Sequence, residues 1–279
     1  MYNIIDNIRA LAEKLGLYNI ASGIVPLYDF PEDALVKLEL ILMQEANFKD
    51  ERRYKVLYSR SHLLPLKTFE EFDNKFQPVV TNQLIVRLKN LSWVEDKYNM
   101  IMIGGSGTGK THIATAIGHY AIRNGIKTFY AEVRDLIYYI KTKDSVGKSR
   151  TKLGYLYNCE LVIIDELCYE SYSFEDMRLV YDVIKRLSLN ASVILISNRT
   201  FDMWPQFIGD VTMTNTMIDR LIEKCQVLDF GDKSYRVENH QPLIFKRESE
   251  EEIVPICKDV VGVREDEEDT DEEDDDEKK

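Results

Sequence analysis

The segment Gly104-Gly105-Ser106-Gly107-Thr108-Gly109-Lys110-Thr111 has the residue types and spacing of a phosphate cradle, G-x-x-x-x-G-K-[ST]. Glycines let the backbone turn with no side chain in the way, so successive N–H groups converge on phosphate oxygens at a helix amino terminus. In such a loop Lys110 reaches the β- and γ-phosphates of ATP and the Thr111 hydroxyl ligates Mg²⁺. With His112 directly following, residues 104–112 form the expected nucleotide-binding segment. A glycine-rich turn that binds nothing is the alternative, and the context that separates the two is a strand before the loop and a helix after it.

A second run, Leu161-Val162-Ile163-Ile164-Asp165-Glu166, reads as a buried strand ending in two carboxylates. A strand in mid-sheet carries Asp165 to the carboxyl edge beside the phosphate loop, where it partners Mg²⁺ from behind its immediate ligands or through water. Glu166 then stands where it can polarise an attacking water. Helix caps or surface charges are the other use of strand-terminal acids. The next apolar run, Val193 to Ile196, ends in Ser197-Asn198-Arg199. An amide there can hydrogen-bond the γ-phosphate and the attacking water, although Asn198 alone is also a turn residue. Arg220, near the end of a short helical segment, is suited to neutralise charge on a phosphoryl group in a neighbouring subunit. An ion pair with Asp219 is its competing use.

These side chains need a scaffold. From Asn99, short apolar runs (100–103, 128–131, 161–164, 193–196 and 227–230) alternate with amphipathic stretches at 111–124, 133–143 and 174–189. That alternation predicts strand-helix units forming a parallel sheet with helices on both faces, a three-layer α/β sandwich. Upstream, Ile4, Ile5, Ile8, Leu11 and Leu15 recur at helical spacing. A second helix is expected from Pro31, with Asp29 as a possible cap and Leu35, Leu38, Ile41 and Leu42 on its stripe. Its later part carries Lys49, Arg52, Arg53, Lys55 and Arg60, a solvated face or a partner surface. The expected organisation is an N-terminal helical domain and linker at 1–80, an ATPase domain at 81–242, and an extension at 243–279.

The net charge is −12, but residues 264–279 alone carry −9, so the remainder is close to neutral. A run so rich in Asp and Glu buries nothing and repels itself, which predicts disorder; the near-neutral body leaves room for a local basic patch. Cys159, Cys168, Cys225 and Cys257 are scattered without metal-ligand spacing and read as free thiols in a reducing compartment. No stretch approaches the roughly 20 apolar residues of a membrane span, and the amino terminus lacks the features of a secretory signal. A cytoplasmic protein is expected.

The motifs in this order, with the wording NMIMIGGSGTGKTHIATAIGHYAIRNGIKTFYAEVRDLI, LVIIDELCYE, VILISNRTFDMWPQFIGD and TMIDRLIEKCQVLDFGDKSYR, resemble the AAA+ ATPases, and among them the IstB-like transposition helpers and the related DnaC-type helicase loaders. The likeness covers about half of the chain, Asn99 to Arg236, with a looser echo in LKTFEEFDNKF and LSWVEDKYN. It implies strand order 5-1-4-3-2, nucleotide at the interfaces of a homo-oligomer, and assembly on double-stranded DNA. It makes Lys110 and Thr111 the ATP-Mg²⁺ residues, Asp165 and Glu166 the Walker B pair, Asn198 sensor 1 and Arg220 the trans-acting finger. Members of this clade lack the carboxy-terminal helical lid, and too little chain follows Arg236 to build one, so no second sensor is assigned. Two departures stand out: the acidic extension, and Gly105-Ser106 where the family usually carries two prolines.

The resemblance also implies a DNA-facing surface, for which Lys141, Lys143, Lys148, Arg150 and Lys152 are the sequence candidates. They lie in Ser- and Gly-containing chain read as flexible enough to follow a phosphate backbone; a solvated loop is the alternative. Three functions remain open from sequence. One is an ATP-dependent helper that selects target DNA and recruits or stimulates a transposase. The second is a replicative-helicase loader, and the third is a P-loop small-molecule kinase or purely structural nucleotide-binding module, less suited to Glu166.

Overall fold

The computed structural model describes residues 2–238. The expected disorder of the acidic extension, and Cys257, lie outside the described residues. Helix α1 (Tyr2–Leu15) buries Ile5, Ile8 and Ala12 at three- and four-residue spacing. A short α2 (Tyr18–Ala21) and a 3-10 turn (Leu27–Asp29) lead into α3 (Glu32–Ser61). Pro31 sits at the N-cap rather than in the first turn, and no side chain caps the helix, so Asp29 does not serve as expected. Proline's fixed φ still sets the chain's entry into the helix. Leu35, Leu42 and Ala46 turn towards α1, whereas Ile41 is 61% exposed and leaves the expected stripe. One residue is a 100° step around a helix, enough to carry Ile41 away from the covered face.

The later half of α3 belongs to a different core. Leu57 packs in the apolar cluster beneath the central sheet, with Leu63, Phe69, Val80 and Leu88 from the chain that follows. Helix α4 (Asn82–Asn90) starts at Thr81, whose hydroxyl accepts from the Leu84 amide, a standard cap. After α5 (Ser92–Glu95) comes the sheet: β1 (Asn99–Ile103), β2 (Thr128–Glu132), β3 (Leu161–Leu167), β4 (Ser192–Ser197) and β5 (Cys225–Asp229). All recorded pairings are parallel, in the order β2-β3-β4-β1-β5. Read from the other edge this is the expected 5-1-4-3-2.

Successive side chains of β1 alternate between two cores. Ile101 and Ile103 face the cluster under α7 (Val133–Thr142), α8 (Gly147–Leu156), α9 (Phe174–Leu187), α10 (Trp204–Ile208) and α11 (Val211–Ile222). Met100 and Met102 face the cluster under α6 (Lys110–Arg123). Fully burying one such side chain stabilises the fold by about 1.5–3 kcal/mol, which is why both faces read as continuous apolar runs. Edge strand β5 is only half covered and begins two residues before its apolar run, at Cys225. The described cysteines are free, and burial pushes the thiols of Cys159 and Cys168 up to about 12.

Helix α3 is tied to α6 by Tyr54, whose hydroxyl lies 3.0 Å from His119 Nδ1, and by Arg53, which donates to the Gly125 carbonyl at 2.8 Å. His119 Nε2 donates to the Leu64 carbonyl at 3.0 Å, leaving Nδ1 to accept from Tyr54 in the neutral ring. Burial lowers its pKa below 6.5. The unfolded chain therefore binds the proton more readily than the folded one. The stability from neutral His119 is whole above pH 6.5 and is lost as pH falls through that value towards the lower folded pKa. Thermal melts from pH 7.5 down to 5 should show a declining midpoint, with a shallower decline in His119→Gln; parallel curves would exclude His119 as the source.

Candidate nucleotide site

Strand order decides which side chains meet. With β4 between β1 and β3, the carboxyl ends of these three strands lie side by side, so the loop after β1, the acids ending β3 and the tip of β4 share one crevice. A cavity of about 820 Å³ lies there, lined by residues 106–112, Asp165, Glu166 and Asn198 among others.

The loop between β1 and α6 follows the sequence expectation. Gly104 has φ 138°, and a Cβ there would sit 2.6 Å from the Gly231 carbonyl oxygen; Gly107 has φ 79°, and its Cβ would strike the Ser234 hydroxyl. Only glycine allows both the turn and the close approach of the chain after β5. Gly109 precedes the first turn of α6 at φ 101°. Lys110 Nζ donates to the carbonyls of Gly104 (2.7 Å) and Gly105 (2.6 Å) and lies 3.3 Å from the Thr108 hydroxyl. Burial pushes this ammonium down to about 8, opposed by Asp165 and assisted by Arg236.

Asp165 is 5% exposed and held by three donors: the Thr111 hydroxyl at 2.8 Å and the Tyr130 hydroxyl at 3.1 Å, both on Oδ2, and the Glu166 amide at 2.7 Å on Oδ1. Burial raises its pKa, against the pull of these donors. A hydroxyl beside a buried carboxylate is an all-oxygen set that fits a hard divalent cation such as Mg²⁺. Glu166 solves a geometric problem, because strict strand alternation would send adjacent Asp165 and Glu166 to opposite faces. Its backbone has φ 62° and the β3–β4 register shifts between Ile164 and Leu167. Both carboxylates consequently line one cavity, and backbone strain of this kind, about 1–3 kcal/mol, is characteristic of functional positions. Burial, then Glu132 and Asp165, raise the Glu166 pKa, which makes it a better proton acceptor than a free carboxylate.

Asn198 is half-buried at the tip of β4, between the phosphate loop and the acids. Ser197 anchors that tip by donating to the Leu167 carbonyl at 2.8 Å and accepting from the Arg199 amide. His112 lines the cavity but donates from Nε2 to the Thr68 carbonyl at 2.9 Å, its ring edge-on to Phe72. Arg220 is exposed on α11, is absent from the cavity lining, and forms no ion pair with Asp219 or any other acid among the described residues.

The basic run differs from its sequence reading. Residues 147–156 form helix α8 rather than flexible chain, because Leu153 and Leu156 are buried and buried Ser149 bonds the Thr142 hydroxyl at 2.8 Å. Lys141 pairs with Asp176 at 2.5 Å, and Lys152 donates to the Tyr139 hydroxyl at 2.9 Å. Lys143, Lys148 and Arg150 remain exposed.

The structure adds wall residues to which the sequence reading gave no role. Gln77 is buried and donates to the carbonyls of Thr108 (3.2 Å) and Phe230 (2.9 Å), clamping the phosphate loop to the end of β5. Phe72 lies against Gly109, where a Cβ would fall 2.8 Å from the ring. The chain after β5 crosses the loop: the Tyr235 amide, at the start of α12 (Tyr235–Glu238), donates to the Gly107 carbonyl at 3.0 Å. The Tyr235 ring meets Phe76 edge-on, and Arg236 lines the cavity. A signal for part of this was present in the LKTFEEFDNKF wording, but nothing in it specified contact with the loop. Among the described residues no helix is long and apolar enough to cross a membrane.

Comparison with known proteins gives the same picture. The family model described as "IstB-like ATP binding protein" matches residues 13–242. A protein named as an ATP-binding protein of insertion sequence IS5376, from Geobacillus stearothermophilus, is 33% identical over 71% of this chain and 78% of its own length. The corresponding protein of IS232, from Bacillus thuringiensis subsp. berliner, is 28% identical over 86% of this chain and 98% of its own. That of IS21, from Pseudomonas aeruginosa, is 30% identical over 71% and 75%. Among solved structures, the crystal structure of the DnaI has a TM-score of 0.48 at 15% identity over 58% of this chain and 90% of that one, a likeness that says nothing about activity. The strand order, the loop with its lysine and threonine, and the paired acids agree with the family match over most of the chain: this protein belongs to the IstB-like ATP-binding family and is an ATPase.

Proposed function

We propose that the protein is an ATP-dependent transposition helper, which assembles with ATP on double-stranded DNA and recruits or stimulates a transposase at the selected target. The supporting observation is that the relatives matched over most of the chain are named as ATP-binding proteins of insertion sequences. In this reading the ATPase domain follows an N-terminal helical module, and the protein works in the cytoplasm, where its DNA lies. Residues 104–112 grip the triphosphate, with Lys110 on the terminal phosphates. Thr111 and Asp165 would hold Mg²⁺, which supplies charge neutralisation on the phosphate oxygens when bound. Glu166 accepts a proton from the attacking water, and Asn198 orients that water and reads the γ-phosphate. Arg236 contacts the phosphates from within the same subunit, a role supported by its place in the cavity lining and by its charge acting on Lys110. Arg220 acts on the nucleotide of a neighbouring copy. Lys143, Lys148 and Arg150 are the basic-run residues whose exposure suits DNA phosphates.

The test combines the purified protein, a non-hydrolysable ATP analogue and a DNA duplex, with assembly followed by sedimentation and electron microscopy. Nucleotide-dependent assembly on duplex is expected, together with stimulation of a transposase of the insertion-sequence class. Lys110→Ala should weaken ATP binding about 100-fold, the loss of a charge-assisted contact to phosphate, and abolish assembly at ordinary ATP concentrations. Assembly indifferent to nucleotide, or stimulation of helicase loading in place of transposition, would overturn the proposal.

A further inference from the structure

Tyr130 lies in the middle of β2, paired in register with Ile163 and 6% exposed, within the same apolar cluster as Met102, Ile113 and Ile163. A phenylalanine would fill this space without the penalty of burying a hydroxyl, which costs about 1–3 kcal/mol when unpaired. The partner of the hydroxyl is Asp165 Oδ2, at 3.1 Å. The three donors on Asp165 are not equivalent. The Thr111 hydroxyl belongs to the phosphate loop, and its oxygen is a candidate cation ligand; the Glu166 amide sits on backbone in the left-handed region. Tyr130 alone reaches Asp165 from a separate, regular strand. It can therefore hold the carboxylate whatever the loop is doing.

We propose that Tyr130 is a positioning residue for the divalent-cation site, its hydroxyl fixing Asp165 in the orientation from which that carboxylate serves the cation accompanying ATP. This rests on the reading of the cavity as a Mg²⁺-ATP site. Hydrogen-bond partners behind a metal-binding carboxylate tune affinity by orienting the ligand before the ion arrives. The phenol also keeps water from competing for Oδ2 in a buried setting. Tyr130, which also lines the cavity, acts on the cation through Asp165 in this role.

The experiment is a Mg²⁺ titration of fluorescent ATP-analogue binding for the unaltered protein, Tyr130→Phe and Asp165→Asn, with a parallel measurement in EDTA and thermal melts of each. Tyr130→Phe should raise the half-saturating Mg²⁺ concentration about tenfold while leaving affinity in EDTA within about twofold. A residue that only packed would shift the melting midpoint and leave the Mg²⁺ titration where it was. An unchanged titration in Tyr130→Phe, beside a displaced one in Asp165→Asn, overturns the role of Tyr130 and leaves the cation site intact. A titration unmoved by Asp165→Asn removes the cation site itself, and the assignment of Tyr130 with it.

Discussion

Glu166→Gln should bind ATP as tightly as the unaltered protein and hydrolyse it on the order of 10³-fold more slowly, within the range that a positioned general base supplies. Glutamine keeps the size and hydrogen-bonding reach of the side chain but cannot accept a proton. The left-handed backbone at residue 166 and the Asp165 contact to its amide do not depend on the carboxylate, so the cavity should keep its shape. Single-turnover hydrolysis and equilibrium binding separate the two effects. If turnover is lost only in proportion to affinity, Glu166 contributes to binding and the proton acceptor lies elsewhere. The raised pKa of this group, caused first by burial and then by Glu132 and Asp165, also predicts that hydrolysis declines on acidification at a higher pH than for a free carboxylate.

Arg220→Ala carries the other large effect, a loss of turnover on the order of 10³-fold, the lower end of what a trans-supplied arginine provides. Binding of ATP should be untouched, because Arg220 does not line its own subunit's cavity. Helix α11 should survive the change: Thr214, Met217 and Leu221 anchor its buried face, and the Asp210 side chain caps it. Mixing provides the decisive measurement. Arg220→Ala supplies an intact cavity and Glu166→Gln an intact arginine, so a mixture of these two impaired proteins should recover activity neither shows alone. No recovery, with both proteins shown to co-assemble, would mean that the arginine acts within its own subunit or not at all.

What could be read from sequence was what lies contiguous in sequence. The phosphate loop and the Asp165-Glu166 pair are short runs whose backbone context follows from their neighbours, and the alternating apolar runs predicted the sheet that brings them together. The remainder of the site comes from distant segments. Tyr130 on β2, Gln77 and Phe72 upstream of β1, and Arg236 after β5 become neighbours only once strand order is set. No second sensor is assigned from sequence because no lid follows β5, yet the short helix α12 places Arg236 in the cavity lining. Helix α8 departs from the flexible chain expected there for another reason: Gly147, Ser149 and Gly154 discourage helix locally, and burial of Leu153 and Leu156 outweighs that preference. Ile41 shows the converse, an apolar residue with helical spacing that the fold leaves in solvent.

Helix α3 spans 30 residues without a break, a rod of about 45 Å, and its two ends serve different masters. Leu35 and Leu42 are committed to the N-terminal bundle, Leu57 to the underside of the sheet, and Arg53 and Tyr54 to the segment running from His119 to Gly125. A stiff bar clamped near one end turns a small tilt at its clamp into a larger sweep at its tip. Any rocking of α6 would thus reach the N-terminal bundle amplified.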